Sequence, residues 1–338
     1  MKGIRKEEIL EYSGLLRNLD GLIPYLREGF VYVEKNQPLT GDAPKLFIRE
    51  YEYGAAPKRY PQKWPAYIAK VGHKWYPVES IMEQLLTDLG KLYGLNIADS
   101  KLAIASGQLR FLSKYFLKRD ERLMHGAEIY AANLNDDIGF VNEIEDKKLS
   151  PQFFTLSFTF EAFKKSFPDQ YENLFCDLLE MLAFDAITGN NDRHFYNWGV
   201  ITDVQNIKLP RFAPIYDTAR ALFWNFPDDK IDNVTQNDEM ANIQIEKYGK
   251  NSKPKMGIEG QNNPNHFKFI EETYIRFPDF ANCITEVITN AVKKEDYKLI
   301  DEEYRFLLSE DRRKLIKDCL SYRKTKLSQI AEKHDQAT

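Results

Sequence analysis

Basic charge is not in excess in this sequence: 47 lysines and arginines face 51 aspartates and glutamates, for a formal net charge of -4. Binding a phosphate backbone draws on a basic surplus, so general nucleic-acid binding is not expected. Cysteine is scarce. Cys176, Cys283 and Cys319 are widely spaced, which gives neither a metal-ligand pair nor a disulfide framework, and three small buried thiols in a reducing compartment are expected. No run approaches the roughly 18 apolar residues of a membrane-crossing helix, and the start, MKGIRKEEILEYSG, has no apolar core of signal-peptide length. A cytoplasmic protein is expected, with export or translocation into a host left open. The five histidines show no zinc spacing, and there is no G-x-S-x-G elbow and no Walker A sequence.

What is present is an ordinary globular composition, 43% hydrophobic and 29% charged, over 338 residues, long for one core and suited to two lobes. Ile9, Leu10, Leu15, Leu16, Leu19, Leu22 and Ile23 approximate one helical face and predict a helix over 5–28. Short β-rich runs follow, FVYVE, KLFIREYEYG, AYIAKVG, KLAIASG and LRFLSKYF, interrupted by one helix in ESIMEQLLTDLGKLYGL that Gly94 should end. From about residue 120 the pattern is mainly helical. YENLFCDLLEMLAFDAI carries a single apolar stripe, and further helices are expected near 266–276, 280–293 and 309–332. Residues 226–264 read as long loops with little regular structure. The fold class expected is α+β, with a small antiparallel, β-rich N-terminal lobe (1–117) and a mainly helical C-terminal lobe (118–338). The basic residues Arg312, Arg313, Lys314, Lys317, Arg323, Lys324 and Lys326 are expected to form a solvated helix face.

The chemistry concentrates in AITGNNDRHFYNWGVI. Asp192 and Asn197 have the spacing that phosphoryl transfer from ATP asks for: a carboxylate to accept the proton of an attacking hydroxyl, and an amide oxygen five positions on to help hold Mg²⁺. WGVIT and IKLPRFAPIYD form a hairpin that would return a second carboxylate, Asp217, beside the first pair. Lys70 ends the run YIAK, as the ATP lysine of a kinase strand does. Glu83 on the following helix could orient it, with Glu79 in reserve. Backbone N–H groups of Gly41, Asp42 and Ala43 could cradle phosphate, although an ordinary hairpin turn explains those residues equally well. Arg193 and His194 could hold the loop's backbone or touch phosphate.

GNNDRHFYNWGVI followed by APIYDTARAL resembles the HipA-like serine/threonine kinases. ESIMEQLLTDLGKLYGLNIADSKL is similar to that family's first large helix and following strand, and LRFLSKYF to the strand leading into the hinge. The resemblance covers roughly 38–120 and 165–225, and is closest to the compact members. It implies a two-lobed protein-kinase-like fold and ATP and Mg²⁺ as cofactors. It implies Asp192 as catalytic base, Asn197 and Asp217 as metal ligands, Lys70 on the ATP phosphates and Glu83 as its partner. Lys114, Tyr115 and Phe116 would line the adenine hinge, with His194 and Tyr216 at the nucleotide. The family's autophosphorylated serine corresponds to Pro38 here, with Thr40 nearby. A protein substrate is implied, and a small helix-turn-helix antitoxin is a candidate partner. Two alternatives remain open on the sequence: a small-molecule or phosphoinositide-type lipid kinase, and a nucleotide-binding module without turnover.

Overall fold

The computed structural model describes residues 3–14, 19, 21–34, 43–205, 207–261 and 263–335. Strands β1 (Val31–Val33), β2 (Lys45–Glu50), β3 (Ala66–Lys70), β4 (Ser100–Ala105) and β5 (Gln108–Lys114) form one antiparallel sheet in the order β1-β2-β3-β5-β4. Side chains alternate across it. On one face Ile48, Tyr67, Ala69, Ala103 and Leu112 make a small apolar cluster. The other face is covered by helix α1 (Val78–Leu92), whose Ile81, Leu85 and Leu89 are buried with Leu102, Leu109 and Phe111 of the strands. Gly94 ends this helix in the left-handed region at φ 87°. Leu95 N–H donates to the Gly90 carbonyl and Gly94 N–H to that of Lys91, the paired bonds that satisfy the last turn when glycine takes this conformation.

The N-terminal residues are not helical where they are described, contrary to the helix expected over 5–28; Leu15 and Leu16 lie outside the described residues. Their backbone is bonded elsewhere. Leu10 N–H donates to the His73 carbonyl, Ser13 N–H to Tyr76, and Leu26 N–H to Ile104. Leu19 and Ile23 are buried across a single turn, with Ile23 N–H on the Leu19 carbonyl, while Leu10 is 59% and Leu22 46% exposed, so the apparent helical stripe never gathers on one buried face.

The remainder is mainly helical around a second, three-stranded sheet, β6 (Glu121–His125), β7 (Gly199–Asp203) and β8 (Arg211–Phe212), in that order. Its helices are α2 (Gly126–Leu134), α3 (Ile138–Asp146), the single turn α4 (Ser150–Phe153), α5 (Leu156–Ser166), α6 (Tyr171–Thr188), α7 (Asp228–Val234), α8 (Asp238–Asn251), α9 (His266–Arg276), α10 (Ala281–Lys293), α11 (Asp296–Glu302) and α12 (Glu310–Asp335). Helix α6 is the spine, buried along Leu174, Phe175, Leu178, Leu179 and Leu182 and again from Ala183 to Thr188. Gly126 opens α2 where an added Cβ would lie 2.4 Å from the Trp198 ring, so glycine is what allows that helix to approach the strand bearing the tryptophan.

Three further expectations are corrected. Residues 226–264 hold α7 and α8 rather than long loops: Asn237 caps α8 by accepting from Met240 N–H at 2.8 Å, and Ala241 and Ile245 face the core. Polar residues that suggest turns here serve as a cap and an exposed helix face. The basic residues of α12 are only partly solvated. Arg312 and Arg323 are fully buried and Lys324 is nearly so; Arg312 pairs with Asp228 at 2.8 Å, and Lys324 pairs with Asp296. Cys176 on α6 and Cys283 on α10 are joined in a disulfide across 107 residues of sequence. Packing of α10 on α6 brings their Cα atoms to 5.6 Å, a proximity that sequence spacing does not encode. Cys319 is free and buried. Among the described residues no helix is long and apolar enough to cross a membrane.

Candidate active site

Lys70 stands at the end of β3, opposite Lys45 on β2 and Phe111 on β5. Its ammonium lies 2.6 Å from Glu83 Oε1 on α1 and 2.9 Å from Asp217 Oδ1. Lys70 and Glu83 are buried. Burial opposes charge on both, and the two outcomes differ. The carboxylates of Asp217 and Glu83 outweigh burial at Lys70 and hold it charged far above its usual range. At Glu83 burial wins over the nearby ammonium and pushes the carboxyl up to about 7. Burial is also overcome at Asp217, where Lys70 holds the carboxyl well below the usual carboxylate range. The site thus keeps one firmly ionised carboxylate at the end of the strand pair. Asp217 has φ 56°, a left-handed conformation that aspartate tolerates better than most residues and that concentrates at functional sites.

Asp192 follows α6 through a short connection, GNN. Gly189 takes φ 73° because a Cβ there would meet the Tyr248 ring at 2.5 Å. The Tyr248 hydroxyl donates to the Gly189 carbonyl at 2.7 Å and accepts from Leu222 N–H at 2.9 Å. One side chain of α8 therefore braces both the end of α6 and the segment beyond Asp217. Asn190 bonds Asp185 through its side-chain nitrogen at 2.8 Å and accepts from Asp192 N–H at 3.1 Å. Burial raises the Asp192 carboxyl, opposed by Arg220 and His194. Arg220 Nη1 reaches Asp192 Oδ2 at 3.1 Å.

Arg193 has a definite place. It is buried and forks onto Asp185 at 2.8 and 3.0 Å, while Nη1 donates to the carbonyls of Asn197 at 2.8 Å and Tyr216 at 2.6 Å. A bidentate arginine–carboxylate pair is the directional anchor such a loop needs. It fixes the end of α6, both ends of the loop and the residue before Asp217 in one network. Asn197 donates its amide nitrogen to the Asp192 carbonyl at 2.8 Å, which leaves its amide oxygen for another partner. His194 is turned toward a pocket it shares with Glu145, Ser150, Phe154, Lys255 and Met256.

The other expected positions are spread around this centre. Tyr216 bonds the Tyr196 carbonyl at 3.0 Å and His125 Nδ1 at 3.2 Å, and its ring lies 5.8 Å from Phe116. Tyr115 N–H donates to the Ala66 carbonyl at 2.9 Å and its ring meets Phe47. The Lys114 ammonium is half-exposed, 3.6 Å from Asp99. Glu79 takes the Lys74 N–H at 3.1 Å and makes no pair with Lys70. Gly41 and Asp42 lie outside the described residues, as do Pro38 and Thr40; Ala43 sits in the bend before β2. Asp185, Arg220, Tyr248 and Lys255 went unread in the sequence. Arg220 lies within the second motif, three residues after Asp217, and Asp185 lies just before the first, seven residues ahead of Asp192; Tyr248 and Lys255 belong to distant, polar stretches that carry no such cue.

Asn197 and Asp217 present hard oxygen donors, one of them held ionised, and these fit Mg²⁺, which takes few protein ligands and fills its shell with phosphate oxygens and water. Among the described residues there is no group of three or more His, Cys, Asp or Glu that could hold a metal ion by itself.

A family model described as the HipA-like C-terminal domain matches residues 38–295. The serine/threonine-protein kinase CtkA of Helicobacter pylori is 24% identical over 158 residues, so the match spans only about half of each chain, 46% of both. The crystal structure of the H. pylori proinflammatory kinase CtkA superposes with a TM-score of 0.72 at 16% identity, covering 93% of this chain and 100% of that one. A HipA from Shewanella oneidensis, solved with HipB and its operator DNA, gives a TM-score of 0.49 at 15% identity over 88% of this chain and 65% of that one. The two-part architecture is therefore that of the CtkA kinase structure, and with three quarters of its length matched the chain belongs to the HipA-like C-terminal domain family.

Proposed function

We propose that the chain is an ATP- and Mg²⁺-dependent protein serine/threonine kinase, with ATP between the five-stranded sheet and the helical part. The observation that carries this reading is the ion-paired line Glu83–Lys70–Asp217, its first two members buried, facing a loop in which Arg193 locks Asp192 and Asn197 into register. With ATP bound, Lys70 donates to the nucleotide phosphates, and Glu83 holds it in place. Asn197 and Asp217 hold Mg²⁺, which offsets charge on the phosphates when bound. Tyr115 and Phe116 line the adenine side.

Asp192 orients the substrate hydroxyl and takes its proton as the hydroxyl oxygen bonds to the γ-phosphorus. The bond from that phosphorus to the β–γ bridging oxygen breaks, and ADP leaves. Arg220 holds the carboxylate until substrate arrives. A positioned base of this kind contributes on the order of 10²- to 10⁴-fold.

Asp192→Asn keeps the shape and removes the base. Transfer of ³²P from γ-labelled ATP to protein should fall by at least about a hundredfold, with the circular dichroism spectrum and melting temperature near those of the wild type. Wild-type transfer by this variant would end the assignment, and label recovered only on lipid or small molecules would move the substrate class.

A further inference from the structure

Pro254 and Met256 are buried on either side of Lys255, in a segment that composition alone assigns to an outer loop. The backbone around it is tied to the active site. Lys253 N–H donates to the Asn191 side-chain oxygen at 2.9 Å, one residue before Asp192. Leu156 N–H donates to the Gly257 carbonyl at 2.9 Å and Gly257 N–H to the Phe154 carbonyl at 3.2 Å. Gly257 has no room for a side chain, since a Cβ would lie 1.7 Å from the Pro151 carbonyl oxygen. Arg323, itself fully buried on α12, reaches the same segment through Ser252 Oγ at 2.7 Å and the end of α6 through the Ala186 carbonyl at 2.8 Å. The segment is thus held from three directions.

Lys255 sits at its centre, half-buried. Its side chain lines the pocket with Arg193 and His194, and it is near enough to Asp192 to favour that carboxylate's ionised form. Among the described residues no carboxylate forms an ion pair with it. A cation on a rigid stem beside a base, without a protein anion of its own, suits an anion that arrives with the reaction.

Resting on the kinase reading, we infer that Lys255 is a further catalytic residue, whose ammonium contacts the transferring phosphoryl group from the side of the acceptor hydroxyl. Lys70 serves the phosphates from the sheet, and Lys255 serves the moving phosphoryl from the helical part. The charge that builds on the equatorial oxygens during transfer is then met from both sides.

The test uses Mg·ADP, alone and with aluminium fluoride, which completes a mimic of the transferring phosphoryl, measured by titration calorimetry on the full chain. Wild-type protein should bind Mg·ADP and tighten with the fluoride. Lys255→Met should bind Mg·ADP within about twofold of wild type and lose roughly tenfold or more of that tightening, the scale of one charged hydrogen bond. Lys255→Arg should restore part of it. If Lys255→Met tightens as the wild type does, or loses Mg·ADP affinity by the same factor, the inference is overturned. A wild-type protein that binds no Mg·ADP removes the kinase reading itself, a result distinct from either.

Discussion

Glu180 on α6 lies near Asp177 of the same helix and Glu286 of α10. Burial raises the Asp177 carboxyl to about 6 and, with Asp177 and Glu286 adding to it, the Glu180 carboxyl to about 7. Raised carboxylates bind more protons folded than unfolded. Their contribution to stability is therefore complete below about pH 4, the unfolded value, and is lost as pH rises through about 6 to 7. Glu180→Gln removes the titration. Its melting temperature should exceed the wild type's at pH 8 and match it near pH 4, as scanning calorimetry at the two pH values would read; equal melting at both would mean the carboxyl is solvated. Lys70, Glu83, Asp192, Asn197 and Asp217 could be singled out in the sequence because the chemistry proposed for them fixes both residue type and order along the chain, and Lys70, Glu83 and Asp217 come together in the structure. Arg193 was visible but not interpretable: its partners are the Asp185 carboxylate and the Tyr216 carbonyl, and only the turn at Gly189 and the β7–β8 hairpin bring them together. Lys255 was indistinguishable from a solvated lysine in a polar stretch.

At the level of elements, the disulfide is the covalent link between α6, which ends at the Asp192 loop, and α10. Closing a loop of 107 residues removes unfolded-state entropy worth up to about 4 kcal/mol. The Cys176→Ser, Cys283→Ser double variant should melt several degrees lower than the oxidised protein, and a thiol reductant should lower the wild type to the same point; a reductant-insensitive wild type would show that the bond does not form in solution. Helices α9, α10 and α12 were readable because each repeats apolar residues at helical spacing against a large core. The same periodicity failed over residues 5–28. There the sheet edge and the segment at His73–Tyr76 offer backbone partners, and pattern alone cannot weigh a helix against pairing with a distant strand. Helices α7 and α8 were hidden for the opposite reason, since their few buried residues are outnumbered by caps and exposed polar positions.

Across the whole molecule, the sheet with its helix and the helical part meet at several polar points, among them the Tyr93 hydroxyl on Asp296 at 2.8 Å and Ala98 N–H on the Ile215 carbonyl at 2.9 Å. Lys70 bonds Asp217 from one side of the cleft, and Asp228 N–H donates to the Ser13 carbonyl at 2.7 Å. On the kinase reading, two of the cations that would meet a nucleotide are already committed to aspartates, Lys70 to Asp217 and Arg220 to Asp192, whereas among the described residues Lys255 is not. Arrival of phosphate has to exchange these partners. One of the exchanges can be seen without labels. Arg220 lies over the Trp224 ring, 5.5 Å from its centre, and indole emission responds to a charge on its face. Adding Mg·ATP should change tryptophan fluorescence in the wild type and leave it unchanged in Trp224→Phe, which retains Trp64, Trp75 and Trp198 as silent controls. On the kinase reading, the cation beside Asp192 would thus carry its own optical readout, and occupancy of the cleft would be followed in real time in the unmodified chain.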